Sequence, residues 1–234
     1  MFNYSQHPGK TTWASSTLHF VGSAFMRLFF RIRIETTSGF PKDGPLLILS
    51  KHTTELDIPI GYAAMQTVLK RRAWCVMKAS LARSRYLGFF WKIGGIPLDR
   101  ERPEKSKQYL IYARKVLYDL DWTGKKEGTG NVLVLFPEET TYPRRMGEGQ
   151  AAGFRFITGK PVEPLNVLCA GFSYRRGFPR GDVLIRFGPV RQYSREVDPG
   201  LFLHERMMEI ASLSALEYPF EAPRARTASA SANG

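Results

Sequence analysis

The chain has 234 residues, of which 43% are hydrophobic and 24% charged, enough for one sizeable α/β core and unlike a largely disordered polymer. Its 34 Lys and Arg against 21 Asp and Glu give a net charge of +13, which calls for an acidic partner: nucleic acid, an anionic membrane surface or a phosphorylated substrate. No uninterrupted apolar run reaches the roughly 18 residues of a transmembrane helix, and a secretory signal is not read either.

In chain order, the first element expected is a helix over Leu18–Ile34, where Phe20, Phe25, Phe29 and Phe30 alternate with Arg27, Arg31 and Arg33. That mixture suits an amphipathic helix lying in a lipid interface, and equally a first helix packed on the core. Residues 1–40 are read as an N-terminal amphipathic, membrane-facing segment, 41–218 as a single folded domain, and 219–234 as a disordered tail in which Ala, Ser and Arg offer little to bury.

Within the domain, apolar β-rich runs at Pro45–Ser50, Ala73–Lys78, Asn131–Phe136, Val167–Tyr174 and Asp182–Phe187 predict strands. Apolar residues at three- and four-residue spacing predict helices over Ile58–Lys70, Leu81–Ile93 and Pro103–Leu120. Their alternation predicts an α/β fold, a mixed and mostly parallel sheet flanked by helices. Asp121–Gly130 reads as an exposed loop, and no internal repeat is present. Cys75 and Cys169 each stand alone in an apolar run, as buried thiols of a reducing compartment.

The first strand leads into Lys51-His52-Thr53-Thr54-Glu55-Leu56-Asp57-Ile58-Pro59, placing His52 at a strand's carboxyl end, where open α/β sheets bind substrates. A short turn can bring the His52 imidazole to the Asp57 carboxylate, while Asp57 also stands where it can cap the next helix. As a dyad, the carboxylate would fix the ring's tautomer and leave the other nitrogen to accept a proton; as separate residues, one is a loop histidine and the other a helix cap. None of the four histidines, His7, His19, His52 and His204, has the i, i+4 partner of a helical zinc site, so no metal is implied.

Three further blocks follow in order: Gly94-Gly95-Ile96-Pro97-Leu98-Asp99-Arg100, Leu135-Phe136-Pro137-Glu138-Glu139-Thr140 and Gly159-Lys160-Pro161-Val162-Glu163-Pro164. Together with His52 and Asp57 they resemble the glycerolipid acyltransferase family typified by 1-acylglycerol-3-phosphate acyltransferases, over roughly Leu46–Phe187. The resemblance implies His52 and Asp57 as the catalytic pair. It also implies substrate-binding roles for Gly94, Arg100, Pro137, Glu138, Thr140 and Pro161, with Arg100 on the acceptor's phosphate and the Pro161 segment shaping an acyl pocket. Glu139 and Thr141 depart from the family's Phe-Pro-Glu-Gly-Thr-Arg pattern, which leaves the acceptor headgroup open.

The implied activity is transfer of a fatty acyl group from acyl-CoA or acyl carrier protein, as co-substrate and without a cofactor, to a lysophospholipid hydroxyl. The acceptor implied is 1-acylglycerol-3-phosphate and the product phosphatidic acid. The implied setting is cytoplasmic, at the inner leaflet of an anionic membrane. A hydrolase using the same dyad, an inactive lipid-binding homologue and a basic nucleic-acid-binding module are the competing readings, the last prompted by Arg71-Arg72, Arg144-Arg145 and Arg175-Arg176. No RNA- or DNA-binding signature accompanies those pairs, so no nucleic acid is expected as partner.

Overall fold

The computed structural model describes residues 11–37, 39–82, 88–99, 103–120, 125 and 128–223. Helix α1 (Thr12–Phe29) runs directly into strand β1 (Phe30–Thr36), and β2 (Leu46–Ser50) and α2 (Asp57–Leu69) carry the His-x4-Asp turn between them. There follow β3 (Ala73–Lys78), the one-turn helix α3 (Phe89–Lys92), β4 (Gly95–Leu98), α4 (Pro103–Tyr118), β5 (Val132–Leu135) and α5 (Ala151–Thr158). The chain closes with β6 (Leu165–Arg175), β7 (Gly181–Phe187), β8 (Arg191–Tyr193) and α6 (Pro199–Leu213).

The strands form one eight-stranded sheet in the order β1-β7-β6-β2-β5-β3-β4, with β8 also on β6. Neighbours are parallel except at β6–β7 and β6–β8, as expected of a mixed, mostly parallel sheet. Parallel strands need crossovers, and those crossovers cover both faces of the sheet. Leu47, Leu49, Leu133, Val167 and Cys169 pack under α4, α5 and α6, while Leu46, Ile48, Val132 and Leu168 pack with Ile60 and Ala64 of α2. Strand β2 is buried at all five positions, so its end is a rigid platform for whatever follows it.

Four expectations are corrected. The first helix stops at Phe29 instead of running to Ile34, because Phe30-Arg31-Ile32-Arg33-Ile34 alternates with period two: the apolar side chains turn half-inward and the arginines outward, along an edge strand parallel to β7. The helix expected over Leu81–Ile93 is, among its described residues, a 3-10 turn at Ala79–Ala82 and the single turn of α3, which starts after Gly88 at φ 66°. Strands β4 and β8 carry too few residues for a periodic signal. Helix α6 was not expected at all, although Asp198 caps it by accepting from the Gly200 and Leu201 amides and Pro199 stands at its first position. Most of the loop expected over Asp121–Gly130 and the tail segment Thr227–Gly234 lie outside the described residues.

Candidate active site

Beyond β2 the ladder extends one residue, with the Lys51 amide donating to the Ala170 carbonyl at 3.0 Å, and then the chain turns. The turn is closed by the Asp57 amide on the Thr54 carbonyl at 3.0 Å and, from the opposite direction, by the Asp57 side chain. Asp57 Oδ2 accepts from the Thr53 amide, from the Thr54 amide at 2.8 Å and from His52 Nδ1 at 3.4 Å. Asp57 Oδ1 accepts from the Tyr174 hydroxyl of β6. Asp57 therefore does not cap α2; it is the helix's first residue and its carboxylate reaches back to hold the turn.

This arrangement is over-determined. A carboxylate whose side chain is 0% exposed is tolerable only when its lone pairs are matched, and four donors match them here. Tyr174 is a dependable donor because burial, and then the Asp57 carboxylate itself, push its hydroxyl well above the usual phenol range. With Nδ1 turned to Asp57, Nε2 of His52 is left to face outward, and the ring is steadied by Phe136, whose centroid is 4.5 Å away at 31°.

His52 opens onto a cavity of about 960 Å³. Its inner walls are apolar, with Met77, Phe89, Phe90, Ile93, Leu110 and Phe156, and its polar lining includes Glu55, Lys78, Asp99, Glu139, Thr140 and Thr141. Leu18 of α1 lines it as well. A cavity this large can take a lipid chain beside a headgroup, at the upper end of ordinary ligand sites.

Directly behind His52 lies a second acid–base pair. Lys51 Nζ meets Glu138 Oε2 at 2.7 Å, both side chains are 0% exposed, and the ammonium also donates to the Tyr142 carbonyl at 2.9 Å and the His52 carbonyl at 3.3 Å. Burial pushes the Lys51 ammonium down and the Glu138 carboxyl up from their ordinary values, and each is partly restored by the other. The Tyr142 amide donates to the His52 carbonyl at 2.9 Å, so the pair and the 142 turn together hold the histidine's main chain.

The expected site residues thus separate into groups. His52 and Thr140 line the cavity at the sheet's carboxyl edge, and Asp57 is buried behind His52. Pro137 and Glu138 are buried behind that edge and do not line the cavity, because Glu138 is occupied by Lys51 and the Pro137 carbonyl accepts from the Gln150 amide at 2.9 Å. Gly94 contributes backbone: at φ 96° it turns the chain from α3 into β4, a conformation that favours glycine. Pro161 is buried before the start of β6, opposite the end that carries His52, since Leu46 pairs with Asn166 and Ser50 with Ala170; it does not shape this cavity. Arg100 lies outside the described residues.

Glu139 has φ 58° and closes a turn through its amide on the Phe136 carbonyl at 3.0 Å, so the position where the resembling family has glycine is one of left-handed backbone. Sequence reasoning missed Tyr174, Lys51 and Lys78. Tyr174 carries no local signal, being 117 positions from Asp57; Lys51 could have been found as a lysine one residue past the apolar run Leu46–Leu49. Cys169 is fully buried and Cys75 partly so.

A turn that fixes a histidine beside a lipid-sized cavity suits acyl transfer, and the sequence comparison agrees: over residues 31–159 the chain matches the Acyltransferase family and belongs to it. Among solved structures it is similar to the crystal structure of PlsC, the 1-acyl-sn-glycerophosphate (LPA) acyltransferase from Thermotoga maritima, at a TM-score of 0.55 and 15% identity over 85% of this chain and 77% of that one. At that identity the likeness is one of fold. No curated protein matches the sequence.

Proposed function

We propose that this acyltransferase moves a fatty acyl group from acyl-CoA or acyl carrier protein to the hydroxyl of a lysophospholipid, 1-acylglycerol-3-phosphate before others, giving phosphatidic acid. The observation that carries the reading is His52, held through Nδ1 by a four-donor Asp57 and facing a cavity of about 960 Å³.

In this mechanism His52 Nε2 removes the acceptor hydroxyl's proton as its oxygen attacks the thioester carbonyl. The new C–O bond forms a tetrahedral oxyanion, then the C–S bond breaks and the departing sulfur takes the proton from the imidazolium. Asp57 stabilises the imidazolium between those steps, and no covalent enzyme intermediate is needed. Apolar walls at Phe89, Phe90 and Phe156 suit an acyl chain, and Lys78 is a cation within the cavity lining that can meet a headgroup phosphate. Arg100 joins it by resemblance.

The partner proposed for the outer surface is the anionic inner leaflet, met as a peripheral protein. Helix α1 packs on α2 through small residues such as Gly22, and leaves Trp13, Phe20, Val21, Leu28 and Phe29 exposed, Phe20 at 74%. Among the described residues no helix is long and apolar enough to cross a membrane. The test is product analysis with a labelled acyl donor and a panel of lysolipids. Diacyl product that depends on lysophosphatidate supports the reading, and free fatty acid released equally with or without any acceptor favours the hydrolase.

A further inference from the structure

The Arg175-Arg176 pair, left over from the nucleic-acid reading, sits in a feature that α1 does not explain. Strands β6 and β7 form an antiparallel hairpin that turns through residues 176–180. Because Ala170 of β6 lies opposite Ser50, the last residue of β2, the five further residues to Arg175 carry the hairpin about 17 Å past the end of β2, on the side where His52 stands. At its tip Phe178 is 99% exposed, and Arg175, Arg176 and Arg180 around it are exposed too. Asp182, opposite Arg175 and Arg31 across the ladders, is the one acidic residue between Arg175 and Phe187, so the tip remains cationic.

A single exposed apolar side chain is ordinary. This one has two distinguishing neighbours, the arginines and the exposed end of α1, and it projects beyond the sheet edge that carries His52. Phe30 pairs with Gly181, the residue that follows the turn, which sets the start of β1 and therefore the end of α1 at Leu28 and Phe29 beside the tip of the hairpin. We propose that the β6–β7 hairpin is a second membrane-docking element, which seats Phe178 at the acyl boundary of an anionic leaflet while Arg175, Arg176 and Arg180 meet lipid phosphates. The inference rests on the membrane reading above and deepens it: α1 and the hairpin grip the bilayer at two points, so the edge carrying His52 is turned toward the lipid. An aromatic wedge with basic residues around it suits a headgroup layer, whereas single-stranded nucleic acid needs a groove with several stacking rings.

The experiment uses the full chain and vesicles of phosphatidylcholine with and without phosphatidylglycerol. Phe178→Ala is expected to weaken sedimentation with anionic vesicles about tenfold, and the Arg175→Gln/Arg176→Gln/Arg180→Gln variant by more, with a flatter salt dependence. An environment-sensitive fluorophore on Phe178→Cys should shift to the blue on anionic vesicles, while acyl transfer to detergent-dispersed acceptor stays at the wild-type level in Phe178→Ala. Wild-type binding with no loss in either variant and no fluorophore shift overturns the hairpin alone and leaves the membrane reading standing. Failure of the wild type to bind anionic vesicles overturns both. RNA binding that the triple arginine variant abolishes, with vesicle binding unchanged, gives the tip to nucleic acid and overturns the proposal.

Discussion

Two acid–base pairs begin at successive residues where β2 ends, Lys51 with Glu138 and His52 with Asp57, and they differ in exposure and in how their donors are used. Lys51 and Glu138 are sealed, at 0% exposure each, with the ammonium spent on a carboxylate and two carbonyls. His52 and Asp57 are also close, but the histidine side chain is 12% exposed and keeps one ring nitrogen toward the cavity. Successive residues at a strand end point to opposite sides, so one position turns a charge into the structure and the next turns an imidazole toward the cavity. A charged pair near a cleft is therefore not a catalytic feature by virtue of its charge; what matters is which partner retains an unused site.

That contrast can be broken by exchanging the symptoms of the two pairs. Loss of the cavity-facing pair should cost activity with the fold intact: His52→Ala should lower acyl transfer by about 100- to 10,000-fold, and Asp57→Asn should fall in the same range, with thermal midpoints near the wild type for His52→Ala. Loss of one member of the sealed pair should do the reverse. Glu138→Gln leaves a buried ammonium without its countercharge and should destabilise the fold by about 3–5 kcal/mol in urea unfolding. The joint Lys51→Met/Glu138→Leu replacement should recover most of that loss, since replacing both charges by apolar groups removes the desolvation cost as well as the attraction. Equal damage from the single and joint variants would show that the pair does more than anchor the turn.

A smaller effect should sharpen the boundary between the two. Tyr174→Phe removes one donor from Asp57 while leaving the amides of Thr53 and Thr54, and should reduce turnover about tenfold with little change in acceptor KM. The smallest concerns Glu139, the residue at φ 58° beside the sealed pair: Glu139→Gly relieves left-handed backbone and should raise the midpoint by an amount equivalent to about 1 kcal/mol or less, measured by thermal unfolding.

Much of the frame was legible because it is written locally. The five strands read from apolar runs and the helices at α2 and α4 follow from hydrophobic period and length. The His52–Asp57 juxtaposition follows from a turn too short to keep its ends apart. What escaped reading depends on contacts across the sheet. Tyr174 reaches Asp57 only because β6 lies beside β2, and Glu138 belongs to Lys51 only because β5 lies on the other side of β2. The same nonlocality sets Pro137 and Pro161 away from the lining of this cavity. A motif states order along the chain, and it does not say which end of a strand, or which side of a turn, faces the cavity. The first helix overran for a different reason: aromatic and basic residues satisfy an amphipathic helix and an edge strand alike, and the pairing with β7 decided the matter.

The most direct test is a radiolabelled acyl-transfer assay on lysophosphatidate with wild type and His52→Ala side by side, each verified as folded by circular dichroism. The account predicts labelled diacyl product from the wild type and essentially none from His52→Ala. Equal product from the two folded proteins would contradict it, since an imidazole that can be removed without consequence is not the base.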